Sequence, residues 1–126
     1  MAEWDTLVDS NLVGSGKVTA AGIYDLEGNP WAYSYGFQAK KSEIAAVSAH
    51  FAAPAGLKAA TVAGAKYTYV RGSKNEEIYV KNGAEGVVFC RCNTCIIVGY
   101  HNDKIQAGSC SATVKELAET LKDAGI

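Results

Sequence analysis

The chain has 126 residues, 48% of them hydrophobic and 20% charged, with a formal net charge of −1. A chain of this size buries roughly two-thirds of its unfolded surface, so one domain over residues 1–126 is expected, without covalent staples. The charge balance argues against nucleic acid as a partner. No run approaches the ~20 apolar residues of a membrane span, and the acidic opening Met1-Ala2-Glu3-Trp4-Asp5 lacks a secretion signal's layout. The expected place is the cytoplasm, in a monomer.

Trp4, Leu7, Val8 and Leu12 fall on one helical face, and Gly14-Ser15-Gly16 stops that helix. Strands are predicted over residues 18–25 and 31–37, joined by the turn cluster Glu27-Gly28-Asn29-Pro30. In the second, Trp31, Tyr33, Tyr35 and Phe37 alternate with Ala32, Ser34 and Gly36. A period of two places all four aromatics on one face.

Residues 41–60 are alanine-rich. Ser42 and Glu43 can start a helix with Ile44, Val47 and Phe51 on its apolar face; Pro54 ends it, and residues 55–60 are read as a second short helix. Four strands follow, at residues 66–71, 77–81, 87–92 and 95–100, separated by Gly72-Ser73-Lys74-Asn75, Asn82-Gly83 and Asn93-Thr94. Such short turns predict an antiparallel meander. Val114, Leu117, Ala118 and Leu121 mark a last helix, with Gly125 as its C-cap glycine. The order describes an α+β domain whose terminal helices can cover one sheet face.

Cys90, Cys92, Cys95 and Cys110 are clustered late in the chain. Without an export signal, reduced thiols are expected. Cys92-x-x-Cys95 has a usable metal spacing, and His101 or Cys110 could complete a ligand set. A hairpin at Asn93-Thr94, however, makes Cys92 and Cys95 cross-strand neighbours, with Cys90 further along the same face, a poor geometry for one metal. A small thiol- or zinc-dependent domain using Cys90, Cys92 and Cys95 is the alternative reading; no cofactor is assigned. No phosphate-binding glycine loop or catalytic triad can be traced, and enzymatic activity is not expected.

Trp4-x-x-x-Val8-Asp9-x-x-Leu12, Gly28-Asn29-Pro30-Trp31-Ala32 and Ile78-Tyr79-Val80-Lys81-Asn82-Gly83 come in an order and spacing similar to those of profilins. So do Ile97-Val98-Gly99, residues 102–108 and Leu117-Ala118-x-x-Leu121. The chain resembles the short amoeboid and plant-like type along its whole length. The resemblance implies a central antiparallel sheet of about six strands, with N- and C-terminal helices on one face and short helices on the other. It implies a cytoskeleton-associated adaptor that binds monomeric actin, docks proline-rich assembly proteins and regulates filament assembly. Phosphoinositide headgroups are a further ligand class that it suggests.

Polyproline is a preformed helix with flat ring faces and exposed carbonyls, which aromatic rings and their N–H or O–H groups grip at little entropic cost. The resemblance places such a groove at Trp4 and Trp31. Leu7 and Thr120 stand where the family carries rings, and Ile126 replaces a terminal aromatic, so weakened proline binding is implied. Tyr33 and Tyr35 are candidates to enlarge the platform. The implied actin-binding positions are Arg71, Lys81, Arg91, Lys115 and Glu116. Asn82 replaces a family lysine, and the order Lys115-Glu116 exchanges two charges.

Overall fold

The computed structural model describes residues 4, 6–34, 37 and 39–126, with residue 55 described by its backbone alone. Seven strands form one sheet: β1 (Ala20–Asp25), β2 (Pro30–Tyr33), β3 (Ala59–Val62), β4 (Ala65–Ser73), β5 (Glu77–Asn82), β6 (Glu85–Arg91) and β7 (Cys95–His101). Their spatial order is β2-β1-β7-β6-β5-β4-β3, with every pairing antiparallel. The predicted meander is therefore present as β4–β7. Its tight turns use left-handed backbone at Gly83 (φ 62°) and at Asn75 (φ 58°), residue types that tolerate that region.

The sheet has seven strands rather than about six because residues 59–62 pair with β4 instead of coiling into a helix. Pro54–Gly56 makes only one short 3₁₀ turn. Alanine propensity is a weak prior, and here strand pairing overrides it. The middle helix, Lys41–Ser48, buries Ile44 and Val47. Its Glu43 carboxylate accepts N–H bonds from Lys40, Ala63 and Gly64 at 2.8, 2.8 and 3.1 Å. One side chain thus caps its own helix and fixes the β3–β4 turn.

Two apolar layers cover the sheet. On one face Val8 and Leu12 from the N-terminal helix, and Cys110, Val114, Leu117, Ala118 and Leu121 from the C-terminal helix, pack on Ile23, Val88, Cys90 and Ile97. On the other face Ile44, Val47, Phe51 and Leu57 pack on Ile78, Val80, Phe89 and Ile96. Double coverage explains why β6 and β7 read as continuous apolar runs.

The C-terminal helix spans Ala107–Asp123. The N-terminal helix is wound as a π-helix over Leu7–Leu12, followed by a 3₁₀ turn, Val13–Ser15. A Cβ at Gly14 would lie 2.8 Å from the Asp9 carbonyl oxygen. Only glycine lets the chain pass so close to a carbonyl five residues earlier, which is the spacing of a π-turn. Gly16 then ends the segment at φ 77°.

Candidate functional site: an interhelical groove and a charged sheet face

β2 is an edge strand, which suits Pro30 at its first position. Its pairing is Gly22↔Tyr33, Ile23↔Ala32 and Tyr24↔Pro30, so Trp31 has no partner residue. This is a β-bulge, in which two successive residues oppose one. Trp31 and Ala32 both join the helix-covered layer. Tyr33 and Phe37 do not follow them. Phe37 is buried in the opposite layer, and Tyr33, 56% exposed, lines a hollow there with Tyr24, Pro30 and Phe37. The expectation of four aromatics on one face is corrected accordingly, because the bulge breaks the period of two. Tyr33 cannot widen a platform centred on Trp31. Tyr35 lies outside the described residues.

Trp4 meets Trp31 across the gap between the N-terminal helix and β2. Their ring centroids lie 4.8 Å apart at an interplanar angle of 46°, a tilted geometry that both rings favour over face-to-face stacking. Both are half-buried. Leu7 and Ile126 are likewise partly buried against the same layer. Beyond Leu7 the two terminal helices enclose a hollow of about 290 Å³, lined by Leu7, Asn11 and Ser15 on one wall and by Thr113, Glu116, Leu117, Thr120 and Leu121 on the other. Gly99 lets the C-terminal helix sit this close to the sheet: a Cβ there would lie 2.4 Å from Val114 Cγ2.

On the same side of the sheet, β4 and β5 extend past the helices. Arg71 pairs with Tyr79, and Lys81 lies two residues further along β5 on that face. The Arg71 guanidinium stands 4.9 Å from the Tyr79 ring centroid and donates to Ser111 Oγ at 2.8 Å. Tyr79 Oη lies 2.9 Å from His101 Nε2, and the two rings stack at 5.9 Å. Lys115 lines a crevice with Glu76, Glu77 and Cys90 beside this network. Arg71, Lys81 and Lys115 therefore share a side.

Two other expected members do not. Arg91 pairs with Ile96, which belongs to the opposite layer, and its Nη1 reaches towards Asn75 Oδ1 at 3.5 Å. Strand alternation places it away from Cys90 and from Arg71. Glu116 lines the interhelical hollow. The sequence placed none of Tyr79, His101 and Ser111 on this face: Tyr79 entered only through the Ile78–Gly83 motif and His101, 2% exposed, only as a possible metal ligand.

A family model described as Profilin matches residues 2–126. The chain belongs to the profilin family. It is 40% identical to Profilin-P of Physarum polycephalum over 97% of this chain and 98% of that relative. It superposes on the crystal structure of Acanthamoeba castellanii profilin II with a TM-score of 0.93 and 35% identity, covering 98% of this chain and 99% of that one. The structure of LokiProfilin1 in complex with rabbit actin has the same fold, at a TM-score of 0.81 and 18% identity, over 98% of this chain and 97% of that one. Profilins are not enzymes.

Within this profilin fold the cysteines are core residues. Cys90, Cys92, Cys95 and Cys110 are all buried and free. As expected from the hairpin, Cys92 and Cys95 are cross-strand neighbours, with Cys92 N–H donating to the Cys95 carbonyl at 2.7 Å. Burial pushes the Cys90 thiol well above its ordinary range and Cys110 up to about 12. A hydrogen bond to the Cys92 sulfur, together with burial, raises Cys95 as well. Among the described residues no group of three or more His, Cys, Asp or Glu side chains is placed to hold a metal ion. No helix among the described residues is long and apolar enough to cross a membrane.

Proposed function

We propose that this chain is a cytoplasmic actin-monomer adaptor whose residues 1–126 act as one domain with two faces, one for actin and one for proline-rich assembly factors. The observation that carries the second face is the pair of half-buried indoles, 4.8 Å apart, at one end of a groove between the terminal helices. Two rings so placed offer flat faces to prolyl rings and indole N–H groups to the carbonyls between them. Leu7 and Thr120 line the continuation of the groove without a ring or an N–H. Affinity for a plain proline tract is accordingly lower than in profilins with aromatics at those positions.

The first face is the charged surface bearing Arg71, Lys81 and Lys115, with Glu77 4.0 Å from Arg71; its cations suit an acidic actin surface by speeding the encounter. It is supported by family membership and by the LokiProfilin1 complex with rabbit actin, a protein of the same fold. The test uses the whole chain: sedimentation or pull-down of monomeric actin, and titration of a proline decamer followed by tryptophan fluorescence. Binding of both is expected. Failure to retain actin removes the first face, and no fluorescence change up to millimolar peptide removes the second.

A further inference from the structure

We propose that Glu116 makes the groove select proline-rich segments that carry a lysine or arginine about three residues beyond the prolines held by Trp4 and Trp31. The inference rests on the proline-binding reading above and names the sequence class that the groove prefers.

Among the described residues Glu116 is the only ionisable side chain lining the interhelical hollow. Its neighbours there are apolar (Leu7, Leu117, Leu121) or uncharged and polar (Asn11, Ser15, Thr113, Thr120). Among the described residues its carboxylate has no ion pair, and the one side-chain hydrogen bond at this residue goes from Thr120 Oγ1 to its backbone carbonyl, at 3.1 Å. The preceding residue, Lys115, lies about 100° around the helix and lines the separate crevice with Glu77 and Cys90, so it does not neutralise the groove. A carboxylate left free on the wall of a groove that also carries Leu7, Leu117 and Leu121 complements a long basic side chain, whose methylenes can lie on Leu7 and Leu117 while its head reaches the charge.

The spacing follows from helix geometry. Asn11, the middle one of the three N-terminal residues lining this hollow (Leu7, Asn11 and Ser15), is seven residues beyond Trp4, or roughly 10 Å along a helix axis. Polyproline advances about 3.1 Å per residue, so the two positions are about three peptide residues apart.

The test is a tryptophan-fluorescence titration of the full chain with proline decamers bearing Arg, Gln or Glu three positions beyond the tract, at either end, in low and high salt. For one orientation, the Arg peptide should bind about two- to five-fold tighter than the Gln peptide at low salt, the range expected of a solvent-exposed ion pair. The Glu peptide should bind more weakly than Gln, and added salt should compress the series. Glu116→Gln should erase the ranking of the three peptides, and Glu116→Lys should reverse it. Equal binding of the three peptides, or a ranking that survives Glu116→Gln, overturns this inference alone. Absence of binding by every peptide overturns the proline-binding reading and this inference together.

Discussion

Tyr79 and His101, on strands separated by β6, meet through a 2.9 Å contact between Oη and Nε2, and they can do so because Gly86 lies between them. His101 Nδ1 lies 2.9 Å from the Asn102 carbonyl, so it donates there, and Nε2 accepts from the tyrosine. A Cβ at position 86 would stand 2.4 Å from Tyr79 Oη and 2.6 Å from His101 Nε2. Gly86→Ala should therefore cost about 1–3 kcal/mol of stability, the usual range for overpacking. Combined with Tyr79→Phe, which removes the nearest atom, its cost should be smaller. A urea double-mutant cycle measures that coupling, and strictly additive effects would refute the shared contact.

A second glycine sets the height of the C-terminal helix. Gly99→Ala would drive a methyl group into Val114 Cγ2, 2.4 Å from the ideal Cβ position. The substitution should lower the denaturation midpoint and, by lifting the helix, weaken proline-peptide binding. Val114→Ala in the same chain should restore part of the binding, because it removes the obstructing methyls. If the single substitution left both measurements unchanged, the close approach would not be structurally important.

Tyrosine and tryptophan two residues apart on β2 should behave differently. Trp31→Ala removes half of the indole pair and should weaken a proline peptide by at least about 2 kcal/mol, roughly 30-fold, as truncation of a central aromatic contact does. Tyr33→Ala should leave the affinity within about two-fold, since its ring lies across the sheet from Trp31. Isothermal titration of the two variants compares them directly.

The buried thiols give alkaline sensitivity. In the unfolded chain cysteines ionise near pH 8.5, whereas burial keeps Cys90 and Cys110 protonated to higher pH. Above that value the folded chain binds more protons than the unfolded one, so stability falls as pH rises. The contribution is complete below about pH 8.5 and is lost on the way to about 12 for Cys110. The slope should be on the order of 1 kcal/mol per pH unit for each such thiol. Urea midpoints between pH 8 and 10.5 should show it, and Cys90→Ala with Cys110→Ala should make the curve shallower, leaving the share due to Cys95. A flat curve in the unsubstituted chain would contradict the assignment.

The meander was legible because Asn82-Gly83 and Asn93-Thr94 interrupt apolar runs at short spacing, and those turns fix antiparallel pairing. The C-terminal helix was legible from its apolar stripe. Strand β3 was not, since Ala59-Ala60 carries little strand preference and owes its conformation to β4. The Trp4–Trp31 site was reached through family likeness; periodicity alone supplied a false companion, Tyr33, because a bulge leaves no mark on an alternating pattern. Arg91 and Glu116 were grouped with Arg71 through the family resemblance, yet strand alternation and the 100° helical step send them elsewhere. Such separations follow from local geometry once register is known.

The bulge at Trp31 also has an engineering meaning. One supernumerary residue in a four-residue edge strand gives it two consecutive inward side chains. Deleting that residue would restore regular parity and remove the indole from its place beside Trp4, at the cost of its packing on the edge of the helix-covered layer. The paired-indole geometry thus depends on an insertion of one amino acid at the margin of the sheet.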